Sequence, residues 1–311
     1  MENNKPLSAL EKLRAAQKGN SASQGNQASA NNKQPKQTST ALASFGVGSK
    51  LAELQRSTVP TNVAGVNVED KIHSKINSEA TKKQDDVASK MRAKVELVIV
   101  VDRSTSMFSD SSRESVEKEI NDGIDYLIDA ERGKDTQVSV ISFANDSRTH
   151  CYRQHVSTLS DINVDLDGGG TALYDTTGDT IKKMEKSLAA EDNNFKTNKV
   201  VFAIITDGGR DGEHSNRYTE SQIKKLIEAK KLDGWEFILL GAGTTRAKDW
   251  APDLGVDPKM AENYSKKRGG LTENFKAITG VVRQLRLNGT VDASWSDGVR
   301  SKMLMLEGGG R

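Results

Sequence analysis

Five oxygen-bearing side chains in three short stretches carry the chemistry of this sequence. The first stretch is VELVIVVDRSTSM, residues 95 to 107, where an apolar run ends in Asp102 and Ser104 and Ser106 follow at alternate positions. The second is Gly168-Gly169-Gly170-Thr171, and the third is Asp207-Gly208-Gly209. Carboxylates and hydroxyls are hard donors, which suit Mg²⁺ or Mn²⁺ rather than a soft metal. Mg²⁺ takes about six oxygens and gives up its waters reluctantly, so one or two carboxylates with neutral hydroxyls leave positions for an outside group. The glycines before Thr171 let the backbone swing so that this residue can approach an ion. Singly, the serines read as helix caps and Asp207-Gly208 as a turn. Together, in order on three loops, they read as one site.

For these loops to meet they must lie at one end of one sheet, and the elements between them allow it. Val95, Leu97, Val98, Ile99, Val100 and Val101 form a nearly unbroken apolar run, the mark of a strand buried on both faces. The reading continues as alternating strand and helix: strand Glu96–Val101, helix Ser115–Ala130, strand Gln137–Phe143, helix Leu173–Leu188, strand Lys199–Thr206, helix Ser221–Lys231, strand Trp235–Leu240, a short strand near Asn263–Ser265, and helix Thr272–Leu285. The strand about Arg148–Val156 follows its predecessor by a short turn at Asn145-Asp146. Parallel strands need a crossover of a dozen or more residues, so this one is expected to run antiparallel at the sheet edge. The expected fold is α/β and doubly wound, a mainly parallel six-stranded sheet with one antiparallel edge strand. In such sheets ligands bind outside the carboxyl ends of the strands, where Asp102 and Asp207 fall.

The motifs DRSTS, GGGTAL and TDG, in that order on these elements, resemble the von Willebrand factor A domain with its metal-ion-dependent adhesion site. The resemblance covers about Val95 to Arg286, and all five motif positions match: Asp102, Ser104, Ser106, Thr171 and Asp207. It implies that the serines and the threonine touch an Mg²⁺ or Mn²⁺ ion, that the aspartates often act through water, and that an Asp or Glu of a partner protein completes the shell. The chain looks most like bacterial or phage cytosolic members of that family.

Other chemistries fit less well. An aspartyl-phosphate enzyme wants a second carboxylate two residues after Asp102, where Ser104 stands. Gly241-Ala242-Gly243 is followed by Thr244, Thr245 and Arg246 rather than by the rest of a dinucleotide fingerprint. Ser104 and Ser106 sit in no G-x-S-x-G elbow, and His214 has no visible partner in the sequence. His150, Cys151 and His155 share one strand, but adjacent strand residues diverge to opposite faces and no fourth ligand at zinc spacing is in sight. A binding protein is expected, not an enzyme.

Charge and composition divide the chain. Residues 1–94 hold 15 Lys/Arg against 8 Asp/Glu, and residues 95–311 hold 30 against 35, so a basic arm precedes an acidic domain. Residues 1–66 are rich in Asn, Gln, Ser, Ala and Lys, and are expected to be mostly disordered, with short helical patches at Ser8–Leu13 and Ser49–Leu54. Residues 67–94 read as an amphipathic helix or linker with Ile72, Ile76, Ala80, Val87 and Met91 on one stripe, and residues 287–311 as a tail. Phe45 is the arm's only aromatic residue and no dense basic block accompanies it, so nucleic acid is not an expected partner. No apolar stretch approaches the roughly 20 residues of a bilayer span, and a lone cysteine allows no intrachain disulfide, which suits the cytoplasm. The expected function is metal-dependent protein binding. The alternative is an assembly subunit of a phage or bacterial complex, or a stress adaptor of the tellurite-resistance type, in which the metal is mainly structural. Glu53, on a tethered helical patch, is a candidate to occupy the metal in cis.

Overall fold

The apolar run found in the sequence is the central strand. β1 (Val95–Asp102) is buried along its whole length. β2 (Thr136–Phe143) and β4 (Lys199–Thr206) flank it in parallel, with Val98 opposite Ser139 on one side and Phe202 on the other. β5 (Trp235–Ala242) adds parallel to β4, and the short β6 (Ala261–Tyr264) adds parallel to β5 at one edge. At the other edge β3 (Ser147–His155) pairs antiparallel with β2, as its short connection requires. The order is β3-β2-β1-β4-β5-β6. Chain order therefore reverses between β1 and β4, and the crevice at that switch point opens beside Asp102 and Asp207.

The computed structural model describes residues 75–82, 93–192, 197, 199–208, 214–242 and 246–308. The expected arm, its helical patches, Glu53 and most of the 67–94 segment lie outside the described residues. Residues 75–82 are helical, with Ile76 partly covered and Ala80 exposed. This part of the expected apolar stripe therefore buries little.

Helices fill the connections. α1 (Arg113–Glu131) starts where Ser112 Oγ accepts the N–H of Ser115 at 3.2 Å. It packs on α5 (Gly270–Asn288), closely enough that a Cβ at Gly123 would fall 2.1 Å from the ring of Phe275. α2 (Leu173–Ala189) packs beside α3 (Glu220–Leu232), whose first turn is fixed by a reciprocal Thr219–Gln222 capping box. Two helices fall where no element was expected. α4 (Ala247–Leu254) contains Pro252 and stops at Gly255, which has φ 82°. α6 (Asp297–Glu307) occupies the expected tail and rests on α5 and β6, burying Val299 while Trp295 is buried just before it. The sixth strand begins two residues earlier than expected, because Ala261 and Glu262 already pair with Leu239 and Leu240.

Two further features stabilise the frame. At the amino end of the sheet, Arg286 reaches back from α5 to Glu131 Oε2 at 2.7 Å, to Thr136 Oγ1 and to the carbonyl of Ala93. The Arg286 and Glu131 side chains are fully buried. At the β3 edge, Cys151 is buried, its Sγ 3.5 Å from the Val138 carbonyl, and burial pushes its thiol up to about 11. Among the described residues no helix is long and apolar enough to cross a membrane.

Candidate metal centre

Asp102 ends β1 with no exposed surface, and both its oxygens are engaged. Oδ1 accepts the N–H of Ser104 at 2.7 Å, which folds the chain back into the turn carrying the serines. Oδ2 accepts the hydroxyl of Thr206, the last residue of β4, at 2.6 Å. One carboxylate thus fastens the two strand ends at the switch point. Burial pushes it up to about 7, with the nearby Asp207 charge adding to the shift and the bonds from Ser104 and Thr206 opposing it.

The donors run on from there in a chain. Ser104 Oγ lies 3.0 Å from Ser106 Oγ, and Ser106 Oγ donates to Asp207 Oδ1 at 2.8 Å. The other Asp207 oxygen lies 2.5 Å from Nζ of Lys266, which also donates to the Ser106 carbonyl at 3.1 Å. Tyr264, fully buried beside these groups, donates to Met107 Sδ at 3.6 Å. Burial raises its phenol well above the usual value, helped by the Asp207 and Asp102 charges, so it stays neutral.

Thr171 arrives on the glycine loop. Gly169 N donates to Thr105 Oγ1 at 3.0 Å and its carbonyl accepts the Thr105 N–H at 3.3 Å, so the loop is laid along the turn that holds Ser104 and Ser106. Gly168 has φ 79°, and a Cβ there would sit 2.8 Å from Thr105 Oγ1. At Gly170 a Cβ would strike the His214 ring at 2.2 Å, and His214 Nδ1 accepts the Thr171 N–H at 3.2 Å. The structure therefore joins Asp102, Ser104, Ser106 and Asp207 through their side chains, and brings half-buried Thr171 alongside through its backbone.

Four residues not singled out by sequence hold these loops. Arg103, between the first two motif residues, turns away from the donors and pairs its buried guanidinium with Asp146 and Asp167. It ties the β2–β3 turn and the segment before Gly168 to the end of β1. Asn145 Oδ1 accepts the Gly170 N–H at 2.7 Å. Asp175, in the first turn of α2, accepts the N–H groups of Asn216, Arg217 and Tyr218 at 2.9 to 3.0 Å, which sets the segment bearing His214. Thr206 was readable only as the threonine of TDG, not as the partner of Asp102. The signals for the others are weak, since each acts on residues remote in the chain.

The donor set is two carboxylates and neutral hydroxyls, and it fits a hard divalent cation. Among the described residues no group of three His, Cys, Asp or Glu side chains could hold a metal, so an ion here would depend on hydroxyl oxygens. His150, Cys151 and His155 have separate local partners: Nε2 of His150 lies 2.8 Å from Ser142 Oγ, Cys151 Sγ faces Val138, and His155 Nδ1 lies 2.7 Å from Ser157 Oγ.

The sequence profile of the von Willebrand factor type A domain matches residues 96–277. The chain belongs to this family. Solved structures similar to this von Willebrand factor A chain include proximal thread matrix protein 1 from the mussel byssus with a zinc-occupied MIDAS motif, at 13% identity and a TM-score of 0.43, covering 62% of this chain and 46% of that one. The pilus adhesin SpaC of Lactobacillus rhamnosus GG is 13% identical with a TM-score of 0.44, over 62% of this chain and 31% of that one. The conserved hypothetical protein BatB of Bacteroides thetaiotaomicron is 16% identical with a TM-score of 0.39, over 63% of this chain and all of that one. The chain thus spans about half or less of the mussel and Lactobacillus proteins. No curated protein matches it in sequence.

Proposed function

We propose that this von Willebrand factor A domain is a protein-binding module that holds one Mg²⁺ or Mn²⁺ at Asp102, Ser104, Ser106, Thr171 and Asp207 and presents it to an Asp or Glu of a partner. The observation that carries this reading is the unbroken run of oxygens from Ser104 through Ser106 to Asp207, set over buried Asp102 at the switch point. When bound, the ion supplies positive charge and open coordination positions for a carboxylate. The chain's own part is to pre-arrange the donors. Asp102 holds the serine turn, Thr105 holds the glycine loop against it, and Arg103 braces both from behind.

The role is binding rather than catalysis. Ser104 and Ser106 bond to each other and to Asp207, whereas a nucleophilic serine is activated by a neighbouring base such as histidine. The nearby histidine, His214, spends Nδ1 on the Thr171 backbone. We place the protein in the cytoplasm, where the buried thiol of Cys151 stays reduced.

Calorimetric titration of the full chain with Mn²⁺ tests the site. One ion per chain is expected, with affinity at least about tenfold weaker in Ser104→Ala and Asp207→Ala. Partner capture should also be lost in EDTA. Wild-type affinity in Asp207→Ala would remove the site assignment. Capture that survives EDTA and that substitution would favour an assembly role carried by other surfaces.

A further inference from the structure

Lys266 lies two residues past the end of the edge strand β6, and its ammonium reaches the donor set. Nζ is 2.5 Å from Asp207 Oδ2, 3.1 Å from the Ser106 carbonyl and 3.3 Å from Ser109 Oγ. The Lys266 side chain is 17% exposed and that of Asp207 is 0% exposed, so this pair is not a solvated surface contact. The segment around it is fastened. Ser111 Oγ donates to the Lys266 carbonyl at 3.3 Å, Lys267 N donates to Ser265 Oγ at 3.2 Å, and Gly269 N donates to Glu119 Oε1 at 2.6 Å. Ser265 Oγ is itself bonded to Glu307 on α6.

An ammonium and a divalent ion make the same demand on this site, since both draw on the Asp207 carboxylate. The lysine brings one charge on a covalent tether and three N–H donors. It compensates a buried carboxylate that would otherwise be costly to fold around. We propose that Lys266 is a tethered cation that competes with the divalent ion for Asp207. It stabilises the ion-free domain and weakens ion binding. The inference rests on the metal-binding reading above. Its consequence is that occupancy follows the free ion concentration instead of saturating at trace levels, because the ion must displace an existing partner.

The test uses the full chain as wild type, Lys266→Gln and Lys266→Arg, each with and without Asp207→Ala. Two quantities are read: Mn²⁺ affinity by calorimetry, and Tm in EDTA against Tm in excess MnCl₂. Lys266→Gln is expected to bind Mn²⁺ about tenfold more tightly than wild type, since removing a competing charge next to a carboxylate is a shift of about one decade. Its Tm should be lower in EDTA and should rise more on adding Mn²⁺. Lys266→Arg keeps the charge and should retain the weak affinity, which separates charge from side-chain loss. If Lys266→Gln binds no more tightly than wild type while Asp207→Ala abolishes binding, the metal site stands and the competition is overturned. If Asp207→Ala leaves Mn²⁺ affinity unchanged in all three backgrounds, the metal-binding reading itself falls.

Discussion

Arg286→Met is expected to lower stability by about 3 kcal/mol, because it takes the buried cation away from the buried Glu131 carboxylate and leaves only the more exposed Lys134 to balance it. In a domain of this size that is a fall in Tm of about 10 °C. Arg286 joins the end of α5 to Glu131 at the end of α1, to Thr136 at the start of β2 and to the Ala93 carbonyl just before β1. Thr136 Oγ1 also donates to Glu131 Oε2 at 2.7 Å, and Lys134 lies 3.0 Å from the other oxygen. The ion pair has no exposed surface, so solvent cannot compensate for a missing partner. Adding Glu131→Gln to Arg286→Met should return most of the loss. Urea unfolding decides it: a single variant within about 1 kcal/mol of wild type, the level of exposed pairs, would show that the pair is dispensable.

Asp102→Asn is expected to stabilise the ion-free protein at pH 8 while abolishing its response to Mn²⁺. The folded chain holds Asp102 at about 7 against an ordinary 3.8. An acid raised in this way contributes its full stability below about pH 4, and that contribution is lost as pH rises through 7. Asparagine does not ionise. In EDTA at pH 8 the variant should therefore exceed wild type by on the order of a few kcal/mol, with a Tm several degrees higher. The replacement preserves the bonds: Oδ1 still accepts from Ser104, and Nδ2 can donate to Thr206 Oγ1, whose own proton goes to the Gly208 carbonyl at 2.8 Å. At pH 4 the two proteins should converge, and excess Mn²⁺ at pH 8 should reverse their order. A stability gap that stays constant from pH 4 to pH 8 would refute the account.

What the sequence revealed and what it hid follow from how far apart the interacting residues lie. β1, β2, β4 and β5 were legible because each is a local apolar run, and the antiparallel β3 followed from a connection too short to cross the sheet. Asp102, Ser104 and Ser106 were legible because their spacing is local too. Lys266 was not, since it meets Ser106 across 160 positions in the chain. Arg103 was hidden inside the motif itself, at the position the motif leaves undefined, and its partners Asp146 and Asp167 come from two other loops. α4 was obscured by Pro252, which argues against a helix interior. α6 was obscured because Leu304 and Met305 are exposed while Val299 is buried, so its apolar residues mark no single face.

The chain's single cysteine gives it a built-in clock. Cys151 is shut between β3 and β2, with a thiol far from its reactive thiolate form at neutral pH. An added disulfide reagent can reach it only during those moments when the edge strand peels away, so the rate of modification counts openings of that edge. No label needs to be engineered, and no second thiol confuses the signal. Because the β2–β3 turn carries Asp146, which clasps Arg103 beside Asp102, the same clock reports from a distance how firmly the Asp102 end of the sheet is held.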